Sequence, residues 1–373
     1  MSLMSLPDEL LTKIVKQLFI PGVIDVPISE TTVAPEALHD FIISVNPGEI
    51  EAREALARLA GTNHRLNAVT NSVLYHSIHL QSHRSLFLII WTFLKSPRLG
   101  LMVRELSVAV KINYALSEYH ELDRLAVQNL VEALHHSTGD RDVQRTFSEV
   151  VVGFPDLRDR LEDCIEHWTG KWEKLVDNNF AHLSCILLLG LTPTLTTLRL
   201  MLPSSNINDS QFIRSAVASQ IDQRIFPQLE RLRLTSDLRR FDPETQLPKL
   251  APNQFLNGRK VKHVELYGPV LVDADIVTDP WVYVETLRMQ WAQLSGSWLH
   301  TLCKETRPPL RNLEISMSDS GHTILREEDQ QQPGINEALS FCKGTLETLS
   351  LWHGGPSGTE PHLGPTGSSM KSN

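Results

Sequence analysis

One six-residue pattern constrains this chain more than any other feature: apolar-x-x-apolar-x-apolar, recurring between residues 103 and 351. It stands at Val103/Leu106/Val108, Leu195/Leu198/Leu200, Leu229/Leu232/Leu234 and Val261/Val264/Leu266. It returns at Val284/Leu287/Met289, Leu310/Leu313/Ile315 and Leu346/Leu349/Leu351. From 195 onward successive copies start 23 to 36 residues apart, each preceded by helix or loop. Isolated matches to so loose a pattern arise by chance, but a run of six between 195 and 351 does not. Its alternating positions are those of a short strand with one buried face, and such a strand buries its leucines only by stacking on neighbours. The pattern predicts a curved, mainly parallel array of short strands with helices on the outer face. The strands should centre near 106, 198, 232, 264, 287, 313 and 349.

This array resembles leucine-rich repeats, in an irregular and mostly longer form. The family repeat reads LxxLxLxxN over about 20–29 residues, one short strand each. The asparagine position is occupied here by Pro203, Asp237, Pro269, Ala292, Ser318 and Gly354. The turn after each strand must therefore be satisfied differently in each repeat. Side chains alternate along a strand, so the residues flanking the inward leucines share one concave face. On that face the residues expected to meet a partner are Arg199, Arg231, Arg233, Tyr267, Arg288 and Trp352. Four arginines on an acidic chain suit an acidic or phosphorylated partner; a solvated face that binds nothing is the plainer alternative. Glu265 and Glu314 interrupt the arginines. If they pair with Arg233 and Arg288 across adjacent strands, the stripe is structural and nearly neutral. If the pairs stay open, it is an anion site suited to bidentate contacts.

The region before the repeats has a helical pattern. Pro7 suits a first helical turn, Asp8 and Glu9 follow it, and Leu10, Leu11, Ile14, Val15 and Leu18 recur at three- and four-residue spacing. The stretch 23–48 carries Pro27, Pro35 and Pro47 and is expected to be mostly loop, with a short helix from Pro35 to Ser44. A helix from about Ile50 to Gly61 and another through Leu66, Val69, Val73 and Leu74 follow, before the chain turns extended at Ser77–Leu80. The segment resembles an F-box of the fungal type. The residues that carry the resemblance are Leu6-Pro7-Asp8-Glu9-Leu10-Leu11 with Ile14 and Leu18, then Leu56-Ala57-Arg58-Leu59-Ala60, Asn63-His64-Arg65-Leu66 and Leu74-Tyr75-His76-Ser77-Ile78. The segment departs from the family in its extra length, which falls within 20–50, and in lacking the tryptophan of the last helix. The resemblance implies docking to the Skp adaptor of a cullin–RING (SCF) ubiquitin ligase, through Leu6, Pro7, Leu10, Leu11, Ile14, Leu59 and Leu66.

The fold class expected is α/β: a helical F-box-like segment over 1–80, with a loop insertion at about 20–50, then an irregular leucine-rich-repeat-like solenoid over 81–352. A helical insertion at about 111–190 interrupts the solenoid. Its helix faces are Tyr119/Leu122/Ala126/Leu130/Ala133 and Leu157/Leu161/Cys164/Ile165/Trp168/Trp172, and the run Ala181–Leu189 is apolar nearly all round. The Trp168/Trp172 pair reads as core. Gln330–Gln332 reads as an exposed loop, and 353–373 as a disordered tail poor in bulky apolar residues.

Chemistry-bearing motifs are missing. No GxGxxG, GxxxxGK[ST] or GxSxG occurs, and His120-Glu121 lacks the second histidine of HExxH because position 124 is Arg124. Cys164, Cys185, Cys303 and Cys342 are too far apart for a CxxC site and give no disulfide framework. His135-His136 point apart on a helix, and His76, His79 and His83 straddle a strand-to-loop transition, so no metal site is expected. No catalytic residue, cofactor or metal is assigned. The net charge of −9 argues against nucleic-acid and membrane partners, and the chain reads as soluble, cytoplasmic or nuclear. The two halves together imply a substrate-recognition subunit with the Skp adaptor, the cullin scaffold and an unidentified substrate protein as partners. A repeat protein acting outside any ubiquitin ligase is the alternative, and a cryptic enzyme the more distant one.

Overall fold

The computed structural model describes residues 6–18, 47–109, 121–134, 140–152, 157–159, 161–162, 180–202, 227–236, 249–250, 260–267, 271–272, 279–290, 293–294, 296–318 and 335–354. The expected short helix at Pro35–Ser44, the Trp168/Trp172 pair, the Gln330–Gln332 loop and all of the tail past Gly354 lie outside these residues. The chain divides into two compact units, Met1–Glu230 and Arg231–Asn373.

Among the described residues, the first unit opens with the helices α1 (Asp8–Leu18), α2 (Pro47–Ala60) and α3 (His64–Leu74). The carbonyl of Pro7 accepts from the amides of Leu10 and Leu11, so the proline starts the first turn without sacrificing a donor. Asn63 caps α3 by accepting from the Arg65 amide. The three helices bury Leu11, Val15, Leu56, Leu66, Val69 and Val73 in one core, with Leu6, Leu59 and Leu74 packed half-buried against it. At four-residue spacing, Leu11 and Val15 are the inward stripe of α1.

Strand β1 (Ser77–Leu80) leaves this bundle and pairs in parallel with β2 (Glu105–Val108), which pairs in parallel with β3 (Thr197–Leu202). Ile78, Leu106 and Leu198 lie in register and are all buried. The extended exit of the helical segment is thus the first strand of the array, and Tyr75/Ile78/Leu80 carry the repeat spacing. Between the strands lie α4 (His83–Lys95), α5 (Pro97–Gly100), α6 (Glu121–Leu134), α7 (Arg141–Val151) and α8 (Phe180–Leu191). Helix α4 turns His83, Leu86, Phe87, Ile90, Phe93 and Leu94 inward and packs on α6, α7 and α8. A Cβ at Gly100 would stand 2.2 Å from the carbonyl oxygen of Leu191, so only glycine lets the end of α8 approach α5.

In the second unit the strands are, in chain order, β4 (Arg231–Ser236), β5 (Lys249–Leu250), β6 (His263–Tyr267), β7 (Leu271–Val272), β8 (Thr286–Gln290), β9 (Gln293–Leu294), β10 (Asn312–Ser318) and β11 (Thr348–Gly354). β4, β6, β8, β10 and β11 are neighbours in that order, all parallel. The short β5, β7 and β9 form a second parallel sheet of their own. Strands therefore occur at all seven expected centres, three parallel strands in the first unit and five in the main sheet of the second. Helices α9 (Gly296–Thr301) and α10 (Ile335–Ser340) and the buried Trp281 complete the described core of this unit.

Backbone hydrogen bonds link successive strands at their entrances. At five strand entrances among the described residues one carbonyl accepts two successive amides of the next strand. His76 accepts from Arg104 and Glu105, and Arg104 accepts from Thr196 and Thr197. Lys262 accepts from Glu285 and Thr286, Glu285 from Arg311 and Asn312, and Arg311 from Glu347 and Thr348. One inward leucine departs from expectation: Leu349, in register with buried Leu313, is 43% exposed on the last strand.

Candidate protein-docking surfaces

The seven residues taken from the F-box resemblance separate into three groups. Leu11 and Leu66 are core; Leu6 and Leu59 are half-buried against it; Pro7, Leu10 and Ile14 face solvent, with Leu10 at 45% and Ile14 at 39% exposure. Leu10 and Ile14 are four residues apart, so they form one short apolar stripe on the face of α1 beside the inward Leu11/Val15 stripe. The two halves of the motif meet in space. Arg65 of α3 donates through Nε to the Asp8 carboxylate at 2.7 Å and through Nη2 to the Leu6 carbonyl at 2.5 Å. The pattern of apolar residues gave no signal for this link.

A second arginine, Arg53 of α2, fastens the bundle to the first strand by donating to the carbonyls of Leu74 (3.0 Å) and Ser77. On the strand face of this unit His79, Ser107 and Arg199 lie in register. Arg199 pairs with Glu105 at 3.6 Å. Burial, and then the charges of Arg53 and Arg199, hold the His79 imidazole down to about 4, and its Nε2 lies 3.0 Å from Ser77 Oγ. His79 is neutral at physiological pH.

The strand face of the second unit presents an alternating charge ladder. Arg233, Glu265, Arg288 and Glu314 sit directly opposite one another on β4, β6, β8 and β10. The pairs close: Arg233 Nε to Glu265 at 2.5 Å, Arg288 Nη1 to Glu265 at 3.7 Å, and Arg288 Nε to Glu314 at 3.1 Å. Of the two alternatives for this row, the structure adopts the neutral one. Tyr267 lies on the same face as Arg233 and Glu265 but is only 3% exposed. Its hydroxyl donates to Glu265 at 3.3 Å and its ring lies 5.2 Å under the Arg233 guanidinium. Burial first, then the Glu265 charge, push the phenol's pKa up against the opposing arginines. The parallel row one pair away, Arg231, His263, Thr286, Asn312 and Thr348, is in register too, and Arg231 is exposed. Trp352 lies opposite Ser316 on the last strand pair.

Among the described residues no group of three or more His, Cys, Asp or Glu is placed to hold a metal, and no described helix is long and apolar enough to cross a membrane. Cys185, Cys303 and Cys342 are free and buried; burial pushes Cys185 up to about 12, which keeps it a thiol. Cys303 donates a hydrogen bond to Cys342, which together with burial raises the Cys303 pKa. No family model, curated protein or solved structure matches the chain.

Proposed function

We propose that the chain is a substrate-recognition subunit of an SCF-type ubiquitin ligase. It docks the Skp adaptor through the opening helices and holds a substrate protein on its strand faces. The observation that carries this reading is the exposed Leu10/Ile14 stripe beside Pro7, on the same helix whose Leu11 and Val15 build the core. A small bundle that existed only to fold would gain by turning those two residues polar. Such a subunit does no chemistry of its own. It raises the local concentration of substrate lysines beside a ligase-bound ubiquitin-conjugating enzyme, which is an effective-concentration mechanism. Among the described strand residues of the second unit, exposed Arg231 and its neutral-polar row are offered to substrate, since the neighbouring charge ladder is closed on itself.

The test is co-purification of the full chain with recombinant Skp adaptor. Leu10→Arg with Ile14→Arg should abolish it while the thermal melt stays within a few degrees of wild type. Undiminished recovery by the double variant, or none by wild type, would overturn adaptor docking. The second reading, a repeat protein working outside any ligase, is favoured by the strand face of the second unit, whose in-register rows carry an exposed Arg231. Substrate recovery together with an absence of adaptor would decide for it.

A further inference from the structure

From Ala55 to Arg104 the sequence contains no aspartate or glutamate, in a chain that carries 44 of them. The same stretch holds Arg58, Arg65, Arg84, Lys95, Arg98 and Arg104. Three of these six are engaged within the molecule. Arg58 pairs with Glu54, Arg65 with Asp8, and Arg104 donates to the Thr194 carbonyl at 2.8 Å. The other three, Arg84, Lys95 and Arg98, are exposed, and among the described residues none of them meets a carboxylate.

Two of the three belong to one stripe of α4. Positions 84, 88, 91 and 95 are four, three and four residues apart and so lie on a single helix face. That face is opposite the inward residues of α4, and it reads Arg84, Leu88, Trp91, Lys95. Leu88 is 42% exposed and Trp91 half-buried, and Lys95 Nζ stands 4.4 Å from the Trp91 ring centroid. Arg98 extends the basic end just past the helix. The result is an apolar centre with a cation at each end, about 16 Å long at 1.5 Å per residue.

From this charge pattern we infer a second docking surface, on α4, for an acidic peptide segment of a protein partner: bulky apolar residues flanked by carboxylates roughly 16 Å apart. In an extended peptide that spacing is about five residues, and in a helix about three turns. The carboxylates pair with Arg84 at one end and with Lys95 and Arg98 at the other. The apolar residues cover Leu88 and Trp91. A net charge of −9 makes an extended polyanion or an anionic bilayer the poorer occupant, because the whole chain repels both at long range while a short segment meets only the local positive patch.

The test uses a random dodecapeptide phage library panned on the full-length protein, with the Arg84→Glu/Lys95→Glu variant as the counter-selection. Clones that survive both steps should carry acidic residues on either side of Leu, Phe or Trp. Synthesised, they should bind wild type at least tenfold more tightly than the variant, and tenfold more weakly in about 0.5 M salt than in 0.05 M, as a screened interaction requires. Leu88→Ser should also weaken them, separating an apolar anchor from charge alone. All substitutions are at solvent-facing positions, and an unchanged thermal melt verifies the fold. Failure to recover discriminating clones, or recovery of clones with no acidic enrichment, would overturn the inference. So would tighter binding of phosphatidylserine vesicles or a single-stranded RNA oligonucleotide than of the selected peptides. Adaptor co-purification should be indifferent to every one of these variants.

Discussion

Arg65 reaches back across 57 residues of sequence to Asp8: its guanidinium Nη2 stands 2.6 Å from the carboxylate, and the same group accepts from Nε. The contact ties the start of α3 to the first turn of α1, the turn that presents Pro7 and Leu10. Asp8 also sits at the helix N-terminus, where a negative charge is favoured by the dipole. The pair is open to solvent, so its worth is bounded. An exposed ion pair contributes about 0–1 kcal/mol.

Removing Arg65 should therefore cost more than removing Asp8. Arg65→Ala loses the pair and also the donor to the Leu6 carbonyl, for about 1–2 kcal/mol in all. Asp8→Ala loses one exposed partner while Arg65 keeps Leu6, for under about 1 kcal/mol. Denaturant unfolding of both single variants and of the double variant gives the coupling directly. Equal losses from the two single changes would mean that the carbonyl contact contributes nothing.

The charge ladder of the second unit makes an asymmetric prediction. Glu265 lies between two arginines and accepts from Tyr267 as well. Glu265→Ala removes the carboxylate shared by Arg233 and Arg288 and the acceptor of the Tyr267 hydroxyl, and should cost about 2–4 kcal/mol. Arg288 is 45% exposed, and Glu265 keeps Arg233 when it is gone, so Arg288→Ala should cost less than about 1 kcal/mol. Unfolding midpoints of the two variants, measured together, check the ratio; a loss at Arg288 matching that at Glu265 would refute it. The same geometry explains why Arg233→Glu is a poor probe of partner binding. It would set two carboxylates against each other on adjacent strands, whereas Arg231→Glu changes an exposed charge alone.

The repeat was legible because two leucines two residues apart, preceded by a third, describe a half-buried strand wherever they fall. Ile78 and Leu80 carried that signal, yet the extended stretch read only as the exit of the helical segment, because its lead position is Tyr75 rather than a Leu or Val and the stretch closes the helical pattern. Strands of two residues, such as Lys249–Leu250, are too short to show any alternation and left no trace. On α1 the periodicity gave Leu10, Leu11, Ile14 and Val15 as one broad apolar face. Only the packing of α2 and α3 separates the buried pair from the exposed pair. Closure of the ladder depended on register, which leucine spacing sets to the residue. Alternation put Tyr267 on the side of the sheet where it lies, beside Glu265 and Arg233, but gave no sign that its ring is buried there.

His79 gives the pH dependence of the first unit. Its ring is held neutral by burial, Arg53 and Arg199, with a folded value of about 4 against an unfolded value of about 6.5. The sign follows from proton binding. Between pH 6.5 and 4 the unfolded chain protonates this histidine and the folded chain does not, so unfolding takes up a proton and is favoured as pH falls. Stability from this group is complete above pH 6.5 and is lost progressively down to about pH 4. The full difference is about 3.5 kcal/mol at most, since each pKa unit is about 1.4 kcal/mol. His79→Gln keeps a neutral polar group beside Ser77 and has no proton to gain. Urea unfolding of wild type and variant at pH 7 and pH 4.5 separates this residue from the carboxylates, which titrate in both. Wild type should lose about 2 kcal/mol more than the variant over that interval. Parallel losses would mean that the imidazole is protonated as readily in the fold as outside it, and that Arg53 and Arg199 do not press on it.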